Sequence, residues 1–124
     1  MVYRYIGFLK NEEFIRRQDY FTCIKYISGN PVGAEIVWNY VREHWNGLVD
    51  IFGLNDRYLG RMISSITERF ATKTKLEEMI NFFNKNPEAG AGTVSRNQAL
   101  ERVKFNINWH RTNLEQITTW LAQH

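Results

Sequence analysis

An all-α fold, built from helices laid antiparallel in hairpins, is what this 124-residue sequence predicts. Three observations carry that expectation. Apolar residues recur at three- and four-residue intervals, the spacing that gathers them on one side of a helix. Gly, Pro, Asn and Thr fall between those stretches, where helices start and stop. No run alternates apolar with polar residues as a half-buried strand would. Short connections between consecutive amphipathic helices make neighbours antiparallel, so the expectation is one helical domain over residues 1–124, in its best form a right-handed solenoid. No exact internal repeat is visible, which keeps a compact bundle as the alternative.

Val2 to Leu9 carry Tyr3, Tyr5, Ile6, Phe8 and Leu9, the pattern of a helix tail. Asn11 is a candidate N-cap for a helix reaching Ser28, with Phe14, Tyr20, Phe21, Ile24 and Ile27 in its stripe and acids in its first turn. Gly29, Asn30 and Pro31 stop it. The central stretch, Ala34 to Arg61, holds one broad apolar stripe: Ile36, Val37, Tyr40, Val41, Trp45, Leu48, Val49 and Phe52. Gly53 ends this helix and Asn55 is placed to cap the next, which presents Leu59, Met62, Ile63, Ile66 and Phe70. Thr74 with Glu77 fits a capping box opening a helix that buries Leu76, Met79, Ile80 and Phe83 and ends before Pro87. PEAGAG reads as a flexible connector. Ser95 with Gln98 fits a second capping box, followed by Leu100, Val103, Ile107, His110, Leu114, Ile117 and Leu121, either one helix or two broken near Thr112.

The composition, 44% hydrophobic and 15% aromatic with two prolines, belongs to a packed domain and not to a disordered chain. Sixteen Lys and Arg against thirteen Asp and Glu are spread singly and in pairs, without the clustering that a nucleic-acid stripe needs. The single cysteine, Cys23, rules out an internal disulfide and a cysteine zinc site, and its apolar neighbours predict a buried thiol. No stretch has the ~18 consecutive apolar residues of a membrane helix, and MVYRYIGFLK is too mixed for a secretory signal.

Little in the pattern encodes chemistry. His44, His110 and His124 form no His-Glu-x-x-His pair, and His44 and His110 read as packed, hydrogen-bonded core residues. Gly90 and Gly92 lack the Lys-Ser/Thr that a phosphate loop requires. Ser64 and Ser65 have no base near them in sequence, and Glu77, Glu78, Glu88, Glu101 and Glu115 read as solvated surface. By spacing alone, the chain is a helical binding or scaffolding unit without an active site.

Five segments, taken in order, add a resemblance: SGNPVG, WNYVREHWNGLVDIFGLNDRYLGR, ITERFATKTKLEEMINFF, NPEAGAG and QALERVKFNINW. Together they resemble the C-terminal region of the zinc aminopeptidases that include aminopeptidase N, the endoplasmic-reticulum aminopeptidases and glutamyl aminopeptidase. The likeness covers about Phe14 to Trp120, and LNDRYLGR and PEAGAG bring it nearest to the glutamyl aminopeptidase branch. It implies stacked antiparallel helix pairs, a HEAT- or armadillo-like superhelical array, forming a bowl over a separate catalytic domain. It also implies that zinc, with its His-Glu-x-x-His motif and the Gly-x-Met-Glu-Asn motif, belongs to that domain. This chain would then hold no cofactor and hydrolyse nothing on its own.

One residue role is carried over by the resemblance. Arg57, the arginine of Leu-Asn-x-Arg-x-Leu-Gly-Arg, is expected to look toward the peptide-binding cavity, against the plainer reading of a solvated arginine beside Asp56. A guanidinium suits the task because it offers a carboxylate or carbonyl two donors. Arg61, one turn on, is expected to pair with Asp50 or Glu68. The implied partners are the parent catalytic domain, a peptide substrate and a second copy in a homodimer, with neither nucleic acid nor a membrane segment. The implied location is the extracellular face of the plasma membrane or the secretory lumen. Met1 falls partway through the region that forms the bowl in the relatives, so the chain is expected to be a fragment whose first apolar residues promote association. His110 departs from the usual aliphatic residue after Trp109. The competing function is a stand-alone helical-repeat interaction module.

Overall fold

The computed structural model describes residues 17–124, and within them the chain is all-α. The expected helix tail over Val2 to Leu9, the Asn11 cap and Phe14 lie outside the described residues. Five helices follow one another: α1 (Arg17–Ser28), α2 (Pro31–Phe52), α3 (Arg57–Thr67), α4 (Lys73–Lys85) and α5 (Thr93–Gln123), with a 3₁₀ turn at Gly90–Gly92 before the last.

Helices α2, α3 and α4 each start where a side chain takes up free backbone N–H groups, though not at the residue first expected for α3 and α4. Asn30 caps α2 by accepting from Val32 N and Gly33 N, and Pro31 sits in the first turn, where its missing N–H costs nothing. Asp56, and not Asn55, caps α3 through a 2.9 Å bond from Leu59 N. Thr72, and not Thr74, caps α4 by accepting from Lys75 N. Helix α5 begins at Thr93, ahead of Ser95, without a side-chain cap, because the 3₁₀ turn already leads the backbone into it. It is one continuous helix through Thr112.

Helix α3 lies in the middle, packed against α1 and α2 and also against α5, while α4 packs on α5. The shared core is Tyr20, Phe21, Ile24, Val37, Trp38, Val41, Trp45, Leu48, Leu59, Ile63, Ile66, Met79, Phe82 and Val103 with their neighbours, each large side chain stabilising the fold by roughly 1.5–3 kcal/mol through burial. Trp38 and Trp45 of α2 meet Phe82 of α4 edge-on, at centroid separations of 5.6 and 5.4 Å. Three hydrogen bonds join the α1–α2 half to the α3–α4 half. Gly29 O accepts from Arg69, Glu35 from Lys75, and Glu78 from Trp38 Nε1, and each pair is 40 residues apart. A further contact between α2 and α4, Arg42 with Glu78, is 36 residues apart.

His44 interrupts α2 with φ −110° and ψ 15°. Its Nδ1 lies 3.0 Å from the Tyr40 carbonyl oxygen, which can only accept, so the ring donates where the helix backbone ordinarily would. The ring stacks on Tyr40 at 4.1 Å, in keeping with a packed histidine.

His110 is different: it is exposed, and so are Leu114, Ile117 and Leu121. The periodic stripe is present, but from Asn108 onward the helix runs past the body, for about 24 Å at 1.5 Å per residue, with nothing among the described residues to cover it. Smaller corrections have the same kind of cause. Cys23 is half-buried, Ile80 is exposed, and Phe82, one helix face over, takes the core position.

Candidate functional site

The site is the turn between α2 and α3 together with the first two turns of α3. Gly53 ends α2 at φ 85°, a left-handed conformation that suits glycine, and donates its N–H to Val49 O at 2.7 Å. Asp56 N then donates to Gly53 O, and Asp56 caps α3 from within the same turn. Arg57 is therefore the first residue of α3, exposed and carried on a backbone bonded on both sides.

Two sets of contacts brace this tip from beneath. One is aromatic: Phe21 of α1 packs on Phe52 at 4.8 Å and lies parallel to Tyr58 at 5.8 Å, with Tyr20 against Phe52 at 5.3 Å. The other is the Gly90–Gly92 turn. Ala91 N donates to Leu54 O at 3.2 Å, Gly90 has φ 52°, and a Cβ on Gly90 would stand 2.6 Å from Leu54 O. Gly92 in turn touches Gly60 of α3. The PEAGAG segment is thus a docked strut beneath LNDRYLGR and not a flexible connector; close backbone approach is what its glycines are for. The sequence signal was available, since two glycine-bearing motifs sit about 30 residues apart, but spacing alone does not say that they meet.

Arg57 lines a shallow depression of about 650 Å³ together with Gly53, Asn55, Asp56, Tyr58 and Arg61. The guanidinium of Arg57 makes no ion pair or hydrogen bond with any described residue, and neither does that of Arg61. The expected pairing of Arg61 with Asp50 or Glu68 does not form, because Glu68 faces Arg102 at 3.7 Å. The structure therefore offers two adjacent cations on a braced backbone, neither of them paired with another described residue.

Two other polar centres were missed. Glu78, read as solvated, is partly buried and gathers Trp38 Nε1 at 3.0 Å, Lys75 Nζ at 3.3 Å and Arg42 at 3.5 Å. Arg96 is buried among rings, 4.9 Å from Phe83, 5.7 Å from Trp45 and 5.8 Å from Phe82, and bonds the Asn86 carbonyl at the end of α4. Burial pushes its pKa down, and no described carboxylate faces it. Both tie helices together and neither reaches the depression.

Comparison with known proteins places this arrangement. The sequence matches the family described as the ERAP1-like C-terminal domain over residues 1–105. The chain belongs to that family. It is 47% identical over 118 residues to aminopeptidase A of Gloydius brevicauda, covering 95% of this chain. It is 46% identical over 119 residues to glutamyl aminopeptidase of Mus musculus, covering 96% of this chain. Aminopeptidase N of Bos taurus is more distant, 32% identical over 123 residues and 98% of this chain. The ERAP1-like chain spans only 12% of the length of the first two and 13% of the third. Among the described residues no three His, Cys, Asp or Glu side chains converge, so the donor set here does not fit a zinc ion. No helix among them is long and apolar enough to cross a membrane.

Proposed function

We propose that this ERAP1-like domain is an accessory part of a zinc aminopeptidase, lining the cavity that receives peptide substrates while a separate domain carries the zinc and the hydrolysis. Arg57 is the contact residue in this reading, presenting two donors to a peptide carboxylate or carbonyl. What supports it is the position of Arg57: a cation paired with no other described residue, on a braced tip beside a shallow depression. Consecutive helices packed on one another, with three hydrogen bonds between residues 40 apart, support a HEAT-like array, whose stacked pairs make such concave surfaces. The same surfaces serve folding or dimerisation of the parent enzyme, at the outer face of the plasma membrane or in the secretory lumen.

The test is a chimera in which this chain replaces the corresponding segment of mouse glutamyl aminopeptidase. Arg57→Ala is expected to raise KM about 10-fold or more with kcat little changed, the loss of one charge-assisted contact made before the transition state. Unchanged KM and kcat would assign Arg57 to solvent. The chain alone, with zinc added, is expected to release nothing from aminoacyl anilides.

A further inference from the structure

The Gly90–Gly92 turn meets the α2–α3 tip at two points, and Arg57 lies midway between them in the chain. Three residues before Arg57, Leu54 O accepts the Ala91 N–H at 3.2 Å. Three residues after it, Gly60 approaches Gly92 so closely that a Cβ on Gly60 would stand 3.0 Å from Gly92 Cα. Three helical residues rise about 4.5 Å, so the second contact falls within one turn of Arg57. Gly90 is what admits the first. Its φ of 52° is left-handed, and a Cβ there would stand 2.6 Å from Leu54 O and 2.9 Å from Leu54 C, nearer than real Cβ contacts come.

We propose that Gly90 is a positioning residue for the peptide cavity: by admitting the Ala91–Leu54 contact it fixes the backbone that aims Arg57, and through Arg57 it sets the affinity for peptide. The proposal rests on the reading of Arg57 given above and adds what holds that residue on target. A methyl group on Gly90 must push either the turn or Leu54 aside by a few tenths of an ångström. The turn is anchored. Thr93 Oγ1 donates to Gly90 O at 3.0 Å, Gly92 N donates to Ala89 O at 2.9 Å, and α5 runs on from it to the buried Ala99 and Val103. Leu54 and Asn55 belong to the less buried partner, so the tip gives way first, and a displaced backbone swings the far end of a long side chain off its contact. The Phe21–Tyr58 stack and the Asp56 cap remain, so the effect is smaller than the loss of Arg57 itself.

The test uses the chimera described above. Gly90→Ala is expected to raise KM about 3- to 10-fold with kcat little changed, and to change KM by less than about 2-fold when Arg57 is already alanine. Met79→Ala, buried on α4, is the control for a merely structural effect: it is expected to lower the urea midpoint and leave KM alone. In the 124-residue chain, amide exchange at Asp56 and Leu59, both bonded within the tip, is expected to quicken about 10-fold in Gly90→Ala while that of the buried Val41 holds. Ala91→Pro, which removes the donor without adding a Cβ to Gly90, reads the same contact should Gly90→Ala fail to fold. An unchanged KM where Arg57→Ala raises it, an equal rise in both backgrounds, or unchanged exchange at the tip would overturn the proposal. A KM indifferent to Arg57→Ala overturns the reading of Arg57 and this proposal with it, and is told apart from failure of the turn by the exchange at Asp56 and Leu59, which does not depend on what Arg57 binds.

Discussion

Gly60 on α3 and Gly92 at the end of the 3₁₀ turn meet backbone to backbone, so that a methyl group on either would stand 3.0 Å from the Cα of the other. No rotamer can relieve a clash of that kind, since neither partner is a side chain. Gly92→Ala and Gly60→Ala are each expected to destabilise the domain by roughly 1–3 kcal/mol, read as a lower urea midpoint. Gly47→Ala is the control: it lies on α2 with nothing within 4 Å of its would-be Cβ, and is expected to stabilise by about 0.5–1 kcal/mol.

Trp38 is fully buried and its one polar atom depends on Glu78. Glu78→Ala leaves that N–H without an acceptor and is expected to cost about 2 kcal/mol, while Glu78→Gln keeps an acceptor and costs less. A double-mutant cycle with Trp38→Phe checks the assignment, because the coupling should account for most of the alanine effect. Additive losses would mean that Glu78 acts through Lys75 and Arg42 instead.

Tyr20 has a buried hydroxyl without a hydrogen-bond partner among the described residues, and its pKa is raised above the ordinary 10, by burial first and by Tyr40 second. The folded state therefore favours the neutral phenol. This contribution is fully present below about pH 10 and is lost as the pH climbs beyond it, when the unfolded chain ionises first. Tyr20→Phe is expected to move alkaline unfolding to higher pH, and at pH 7 to be neutral or up to about 1 kcal/mol stabilising. Ellipticity followed against pH reads the first effect and urea titration the second.

Arg96 separates packing from charge. Arg96→Met keeps most of the volume among Trp45, Phe82 and Phe83 and removes a buried cation that has no acid, so stability is expected to change by less than about 1 kcal/mol. Arg96→Ala removes the volume as well and is expected to cost about 2–4 kcal/mol in urea unfolding.

On α5, Trp109, Leu114, Ile117, Trp120 and Leu121 make an apolar face that no described residue covers, and faces of this kind associate. Sedimentation is expected to show oligomers that Leu114→Glu with Leu121→Glu returns to monomer. An unchanged distribution would place the association elsewhere.

The helices and their buried faces were legible in the sequence because burial imposes its period wherever a helix meets the core: Leu59, Met62, Ile63 and Ile66 are all where the stripe put them. The caps shifted by one or two residues since Asp56 and Thr72, like their neighbours Asn55 and Thr74, are competent oxygen acceptors, and only the turn geometry chooses between them. Leu114, Ile117 and Leu121 show the limit of the method, for a stripe states what a helix is able to bury and not what arrives to cover it. Arg57 was singled out through family resemblance alone, while the supports beneath it, at Gly60, Gly90 and Gly92, depend on contacts between segments about 30 residues apart that no local pattern records.

Helix α3 packs against α1, α2 and α5, whereas α1 packs against α2 and α3, and α5 against α3 and α4. Thermal opening starts at elements with fewer packed neighbours and reaches the one with the most last. Amide protons of α3 should therefore be the slowest to exchange in the chain. Arg57 and Arg61 at its exposed end thus sit on a well-supported backbone, while their unbonded side chains keep the rotamer freedom that any ligand would have to order.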